Sequence, residues 1–160
     1  MPRDVKRRIE ALSMELVNLI SALPAFSERA FSIFDLDDLK AHSTLQQLPV
    51  VGVTYDGATP AAGNQATPVA RTSGSSTLVT FQFSIILALQ YNFAGQEDTK
   101  PGAFDLLDEM RFAIDGYQSA NNRPWIWAGE KPEDDVSSDG MIFYSQAWRT
   151  SVINVGSTNK

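Results

Sequence analysis

Residues Thr77 to Tyr91 (TLVTFQFSIILALQY) alternate in the way that an extended strand requires. Val79, Phe81, Phe83, Ile85, Leu87, Leu89 and Tyr91 would share one face. Thr80, Gln82, Ser84 and Gln90 would share the other, because successive side chains on a strand point to opposite sides. A helical period would scatter the same apolar set around its axis. A strand of about 15 residues spans about 50 Å, against a usual length of about five or six residues. Part of it is therefore expected to project beyond a single core. Leu78, Ile86 and Ala88 break the polar face, and the breaks at Ile86 and Ala88 imply that this second face is covered there as well.

The rest of the chain supplies partners for this strand. Val5, Ile9, Leu12, Leu16, Leu19, Ile20 and Leu23 recur at three- and four-residue steps, which predicts an amphipathic helix from about Arg3 to Leu23 that Pro24 stops. Between residues 25 and 47, Phe31, Ile33 and Phe34 fit a short strand, and Asp35 fits the cap of a short helix through Leu39 to Leu45. Pro49 to Tyr55 reads as a strand ended by a turn at Asp56-Gly57. Residues 57 to 76 (GATPAAGNQATPVARTSGSS) hold almost nothing large and show no period, which predicts a long flexible loop. A second helix is expected over 101–117, with Ala103, Leu106, Leu107, Met110, Ala113, Ile114 and Tyr117 as its apolar stripe and Gly116 at its C-terminal cap. Trp125 and Trp127 fall on one face of a short strand. The final strand, Met141 to Ile153, sets Ile142, Tyr144, Trp148 and Val152 together. The expected fold is α+β in the order α-β-β-α-β-β: a mostly antiparallel four-stranded sheet with two helices packed on one face, forming a single domain over residues 1–160.

Composition narrows the function classes. The chain has no cysteine, which excludes a disulfide framework, thiolate metal sites and a cysteine nucleophile, and fits a reducing cytoplasm. Its formal net charge of −6 argues against a general nucleic-acid-binding surface, which needs clustered Lys and Arg. The basic residues near the start (Arg3, Lys6, Arg7, Arg8) are interleaved with Asp4 and Glu10 and read as a solvated helix face. No apolar run is long enough for a membrane helix, and the N-terminus lacks the pattern of a signal peptide.

Candidate chemistry is sparse. The single histidine, His42, sits in no motif, and no phosphate-binding or dinucleotide-binding glycine loop is present. Carboxylates cluster at Asp35, Asp37 and Asp38 and again at Glu130, Glu133, Asp134, Asp135 and Asp139. The second cluster lacks the spacing of a calcium loop and reads as a solvated acidic turn. Trp125, Trp127 and Trp148 lie within alternating apolar strands, where packing in the core or at a subunit interface outranks base stacking or sugar binding. No catalytic, cofactor-binding or metal-binding residue is assigned, and the function is expected to be geometric rather than catalytic.

An ordered set of segments carries a resemblance. An amphipathic N-terminal helix precedes Leu48-Pro49-Val50-Val51 running to Tyr55-Asp56-Gly57. A variable loop, the long strand, the Gly102-Ala103-Phe104-Asp105-Leu106-Leu107 helix, Trp125-Ile126-Trp127-Ala128-Gly129-Glu130 and a last long strand follow. This series resembles the phage tail terminator family, in particular the branch of Mu-like contractile-tailed phages. The resemblance implies a virion protein at the neck end of the tail, assembled in the host cytoplasm. It would form a homohexameric ring that caps the tail tube, stops tube and sheath polymerisation and presents a joining surface to the neck or head-completion proteins. Its partners would be itself, the tail tube protein, the sheath protein and those neck proteins, with DNA only passing through the lumen and no membrane contact. The family carries no catalytic residue to transfer. The assembly contacts expected from the residues are the loop positions Gly57, Thr59, Asn64, Arg71 and Ser75, with the three tryptophans as packing or interface aromatics. A head-completion or neck ring, a carboxylate-based metal-dependent hydrolase and a nucleic-acid-binding module are the alternatives.

Overall fold

The computed structural model describes residues 8–42, 48–60, 76–90, 102–119, 123–134 and 140–155. The order of elements is α1 (Arg8–Ser21), a 3-10 turn (Pro24–Phe26), β1 (Ala30–Ser32), α2 (Leu36–His42), β2 (Val50–Pro60), β3 (Ser76–Gln90), α3 (Ala103–Ile114), β4 (Ile126–Asp134) and β5 (Met141–Val155). The strands form one five-stranded sheet in the order β1-β2-β3-β5-β4. β3 and β5 make its spine, an antiparallel ladder from Ser76↔Val155 to Gln90↔Met141. β2 joins β3 antiparallel from Val50↔Ala88 to Pro60↔Val79, and β4 closes the other side.

The expectation of a four-stranded, mostly antiparallel sheet with two helices on one face is overturned. The sheet has five strands and is mixed, because β1 pairs with β2 in parallel, Ala30↔Val51 to Ser32↔Val53. A third helix, α2, is present as well. The short strand and short helix read between residues 25 and 47 are both present, at Ala30–Ser32 and Leu36–His42, but the expected order left them out, and the parallel pairing of β1 depends on a partner about twenty residues downstream that no local window contains. The α+β class stands.

The helices divide between the two faces. α1 buries Leu12, Leu16, Val17 and Ile20 and α3 buries Leu106, Leu107, Met110 and Ile114, against Val51, Val53, Phe83, Ile85, Leu87 and Trp148 of the sheet. Full burial of each large apolar side chain contributes about 1.5–3 kcal/mol. The opposite face carries a second core, in which Leu39 of α2 packs with Ile33, Leu48, Val50, Ile86, Ala88, Met141 and Phe143. The apolar breaks at Ile86 and Ala88 are thus the floor of this second cluster. α2 starts where Asp35 Oδ1 accepts the Asp38 backbone N–H at 2.9 Å. Gly52 lies beneath Ile33: a Cβ there would come within 2.9 Å of Ile33 Cγ1.

Candidate assembly surfaces

The three tryptophans have separate fates. Trp125 is fully buried, stacks edge-on against Phe83 with ring centroids 5.7 Å apart, and donates from Nε1 to Glu15 Oε1 at 2.7 Å. The backbone fixes it there. Gly116, at φ +80, reverses the chain after α3 and donates to Trp125 O at 2.9 Å, and Trp125 N donates back to Tyr117 O. Trp148 is buried as well. Trp127 pairs with Trp148 across β4 and β5 but stands half-exposed at the rim, where the Arg111 guanidinium lies 5.1 Å above its ring. Arg111 is held by Asp108 at 2.8 Å and lies 3.6 Å from Glu130.

Gln146, which the alternation of β5 places on the same face as Tyr144 and Trp148, is a residue the sequence reading passed over. It is completely buried, donates from Nε2 to Leu107 O at 2.8 Å and to Glu130 Oε1 at 2.9 Å, and accepts from Trp148 Nε1 at 3.2 Å. It ties α3, β4 and β5 together. Its parity along the strand was the available signal.

The expected loop contacts divide at Pro60. Gly57 and Thr59 are not loop residues: they extend β2, facing Gln82 and Thr80 of β3. Asn64, Arg71 and Ser75 lie outside the described residues. Gly57 takes φ +124 where Asp56 is the extra residue in the β2–β3 register, a bulge that suits glycine. The composition of this stretch concealed the strand, since small residues show no alternation and the ladder rests on backbone hydrogen bonds. The Asp56 carboxylate accepts a hydrogen bond from Ser84 Oγ. Burial pushes its carboxyl above the ordinary aspartate value, the Ser84 bond pulls it down, and the charge of Glu133 raises it.

Past Tyr55 the sheet narrows. β1 covers β2 only at Val51, Gly52 and Val53, and β4 covers β5 only from Phe143 to Arg149. What remains is an arm of β2, β3 and β5, whose outward residues on one side are Thr59, Thr80, Gln82 and Ser151, with Thr80 and Ser151 hydroxyls 3.1 Å apart. Elsewhere, a shallow open depression lies over α1 and Tyr117, lined by Ala11, Met14, Glu15, Asn18 and Leu19. Among the described residues no group of three or more His, Asp or Glu side chains could hold a metal ion. No helix there is long and apolar enough to cross a membrane.

No family model matches the chain, and no curated protein matches it. Among solved structures it is similar to a chain from the virion of a native gene transfer agent particle, with a TM-score of 0.57 and 12% identity. The match covers 91% of this chain and 97% of the other. At that identity the likeness is one of fold, and it extends over nearly the whole of both chains.

Proposed function

We propose that this chain is a structural protein of a phage-like particle, and specifically the tail terminator: a ring that caps the tail tube, ends tube and sheath growth and receives the neck. The observation that carries the reading is the end-to-end fold likeness to a chain of a gene transfer agent virion. The sequence-level resemblance to tail terminators over the same length supports the finer role. A ring needs two different complementary patches on each subunit, because its contacts run head to tail. A sheet that narrows to a three-stranded arm, with a different strand at each outer edge, supplies two unlike surfaces. The net charge of −6 disfavours retention of DNA, which a terminator must let pass. No catalytic role is proposed.

The test is a deletion of the gene in its particle. The expected result is tails of irregular, extended length that fail to join heads, scored by electron microscopy. Tails of normal length that still lack heads would point instead to a neck or head-completion ring.

A further inference from the structure

The outer face of α3 carries two phenylalanines in water. Phe104 is 72% exposed and Phe112 is 91% exposed, and their eight-residue separation sets them about two turns apart on one stripe. Trp127 of β4 stands half-exposed nearby, under the Arg111 guanidinium. Asp105 and Glu109, four residues apart, form an acidic row beside the phenylalanines. Both are exposed, and neither carboxylate has a partner among the described residues. Arg111 does not offset them, because Asp108 holds it at 2.8 Å. The stripe that α3 turns to the sheet is a different one, Leu106, Leu107, Met110 and Ile114, so packing within the subunit does not use these rings fully. Exposed aromatics rimmed by polar groups mark surfaces that meet another protein.

An acidic aromatic face calls for a basic segment, and the chain contains one. Arg3, Lys6, Arg7 and Arg8 stand close together with a single carboxylate, Asp4, and with Val5 among them, whereas every other Lys and Arg is isolated in sequence. The stretch leads into α1, whose first residue is Arg8. α1 and the aromatic face belong to opposite flanks of the sheet. α1 packs over β1, where the Ser13 and Ser32 hydroxyls meet at 2.7 Å. α3 packs over β5 and β4: Leu107 O accepts from Gln146, and the Phe104 ring lies edge-on to Tyr144 with centroids 6.5 Å apart. In the order β1-β2-β3-β5-β4 these are the two ends of the sheet. One subunit thus carries a basic stretch towards one flank and an acidic aromatic face on the other.

We propose that the Arg3–Arg8 stretch of one copy docks on the outer face of α3 in the next copy. Its cations meet Asp105 and Glu109, while Val5 and the aliphatic stems of Lys6 and the arginines cover Phe104, Phe112 and Trp127. Guanidinium groups stack on exposed rings, as Arg111 already does on Trp127. The two patches are different and belong to opposite flanks. The contact is therefore heterologous, and it repeats from copy to copy around a ring instead of stopping at a two-fold dimer. This inference rests on the ring reading above and specifies which surfaces meet.

Lys6 is the only lysine of the stretch, so zero-length coupling of amines to carboxylates tests the contact directly. Isotopically labelled and unlabelled full-length protein are mixed before assembly and then treated with a carbodiimide. Mass spectrometry should find Lys6 joined to Asp105 or Glu109, with joined peptides that carry one label from each copy. Phe112→Ser should leave the melting temperature of the subunit unchanged, because the ring is exposed, and should weaken assembly by more than about fivefold. Lys6→Glu and Glu109→Lys should each weaken assembly by up to about fivefold, and the double swap should restore part of the loss. Joined peptides of a single isotope only would show that the stretch docks on its own subunit and would overturn the second copy as occupant. Coupling of Asp105 or Glu109 to a different particle protein would overturn it as well. Rings or assembled particles in which Lys6 never couples to α3 would overturn the contact and leave the terminator reading in place. Mixed-isotope coupling together with normal-length tails in the deletion strain would overturn the terminator reading and keep the contact. Protein that is monomeric in solution and inside particles would overturn both.

Discussion

The two ends of this sheet are built on different principles. At the wide end, five strands carry helices on both faces: α1 and α3 over one, α2 over the other. The side chains that face the sheet there are buried, Leu16, Ile20, Leu39, Leu106, Met110, Trp125 and Trp148 among them. At the narrow end, three strands continue with Tyr55, Asp56, Ala58, Thr59 and Pro60 of β2 exposed, and among the described residues no strand pairs with the outer edges of β2 and β5 there. The wide end can hold its conformation by burial alone, since it removes large apolar side chains from water on both faces. The arm buries Phe81 and Val152 on the face shared with α1 and α3, while Thr59, Thr80, Gln82 and Ser151 make its other face polar. It is an extension of a ladder whose stability comes from the core behind it. Most of the apolar burial is thereby concentrated at one end of the sheet.

That comparison can be broken at the wide end first. Trp125→Ala removes a fully buried indole, its edge contact with Phe83 and its bond to Glu15, and should cost about 3–5 kcal/mol in a denaturant melt. A loss below 1 kcal/mol would mean that this end is not the stabilising one. A smaller effect is expected on the second face. Gly52→Ala presses a methyl against the stiff, buried Ile33 and should cost about 1–3 kcal/mol. Ile33→Ala in the same chain should relieve part of that cost, so the double variant should be more stable than the sum of the two singles predicts. Strict additivity would show that the clash is absent.

The smallest effect belongs to the arm. The Asp56 carboxyl titrates above the ordinary aspartate value, chiefly because it is partly withdrawn from water although the residue as a whole is exposed, so folding disfavours its charged form. A raised carboxyl destabilises the fold above its folded pKa. The penalty shrinks as pH falls through that pKa and is gone below the unfolded value. Wild-type monomer should therefore gain stability relative to Asp56→Asn as the pH drops from neutral towards about 4. The opposite slope would show that a cation, rather than burial with Glu133 nearby, governs this carboxylate in the free subunit.

Much of the wide end was legible in the sequence. The three- and four-residue recurrence of α1 and α3 and the two-residue recurrence of β3 and β5 are direct consequences of backbone geometry, and they survive in any fold that buries one face. Even the cover over the second face could be read, because Ile86 and Ala88 interrupt an otherwise polar row. The arm was legible only as excess length in β3. Gly57 and Thr59 read as loop because Gly, Ala, Thr and Pro carry no alternation, and the ladder that makes them strand depends on Gln82 and Thr80 lying opposite. Gln146 had the right parity for burial, but its worth depends on Leu107 O, Glu130 and Trp148 converging from three elements.

By itself, then, the sequence determined the type of most elements, because this follows from local period and residue chemistry. Tertiary structure alone decided that β1 joins β2 in parallel, that α2 lies across the opposite face from α1 and α3, and that Trp125 is buried while Trp127 stands at the rim. Those outcomes depend on which distant segments meet, and the free energy that selects among such meetings is spread over long-range contacts that no local window of the chain contains.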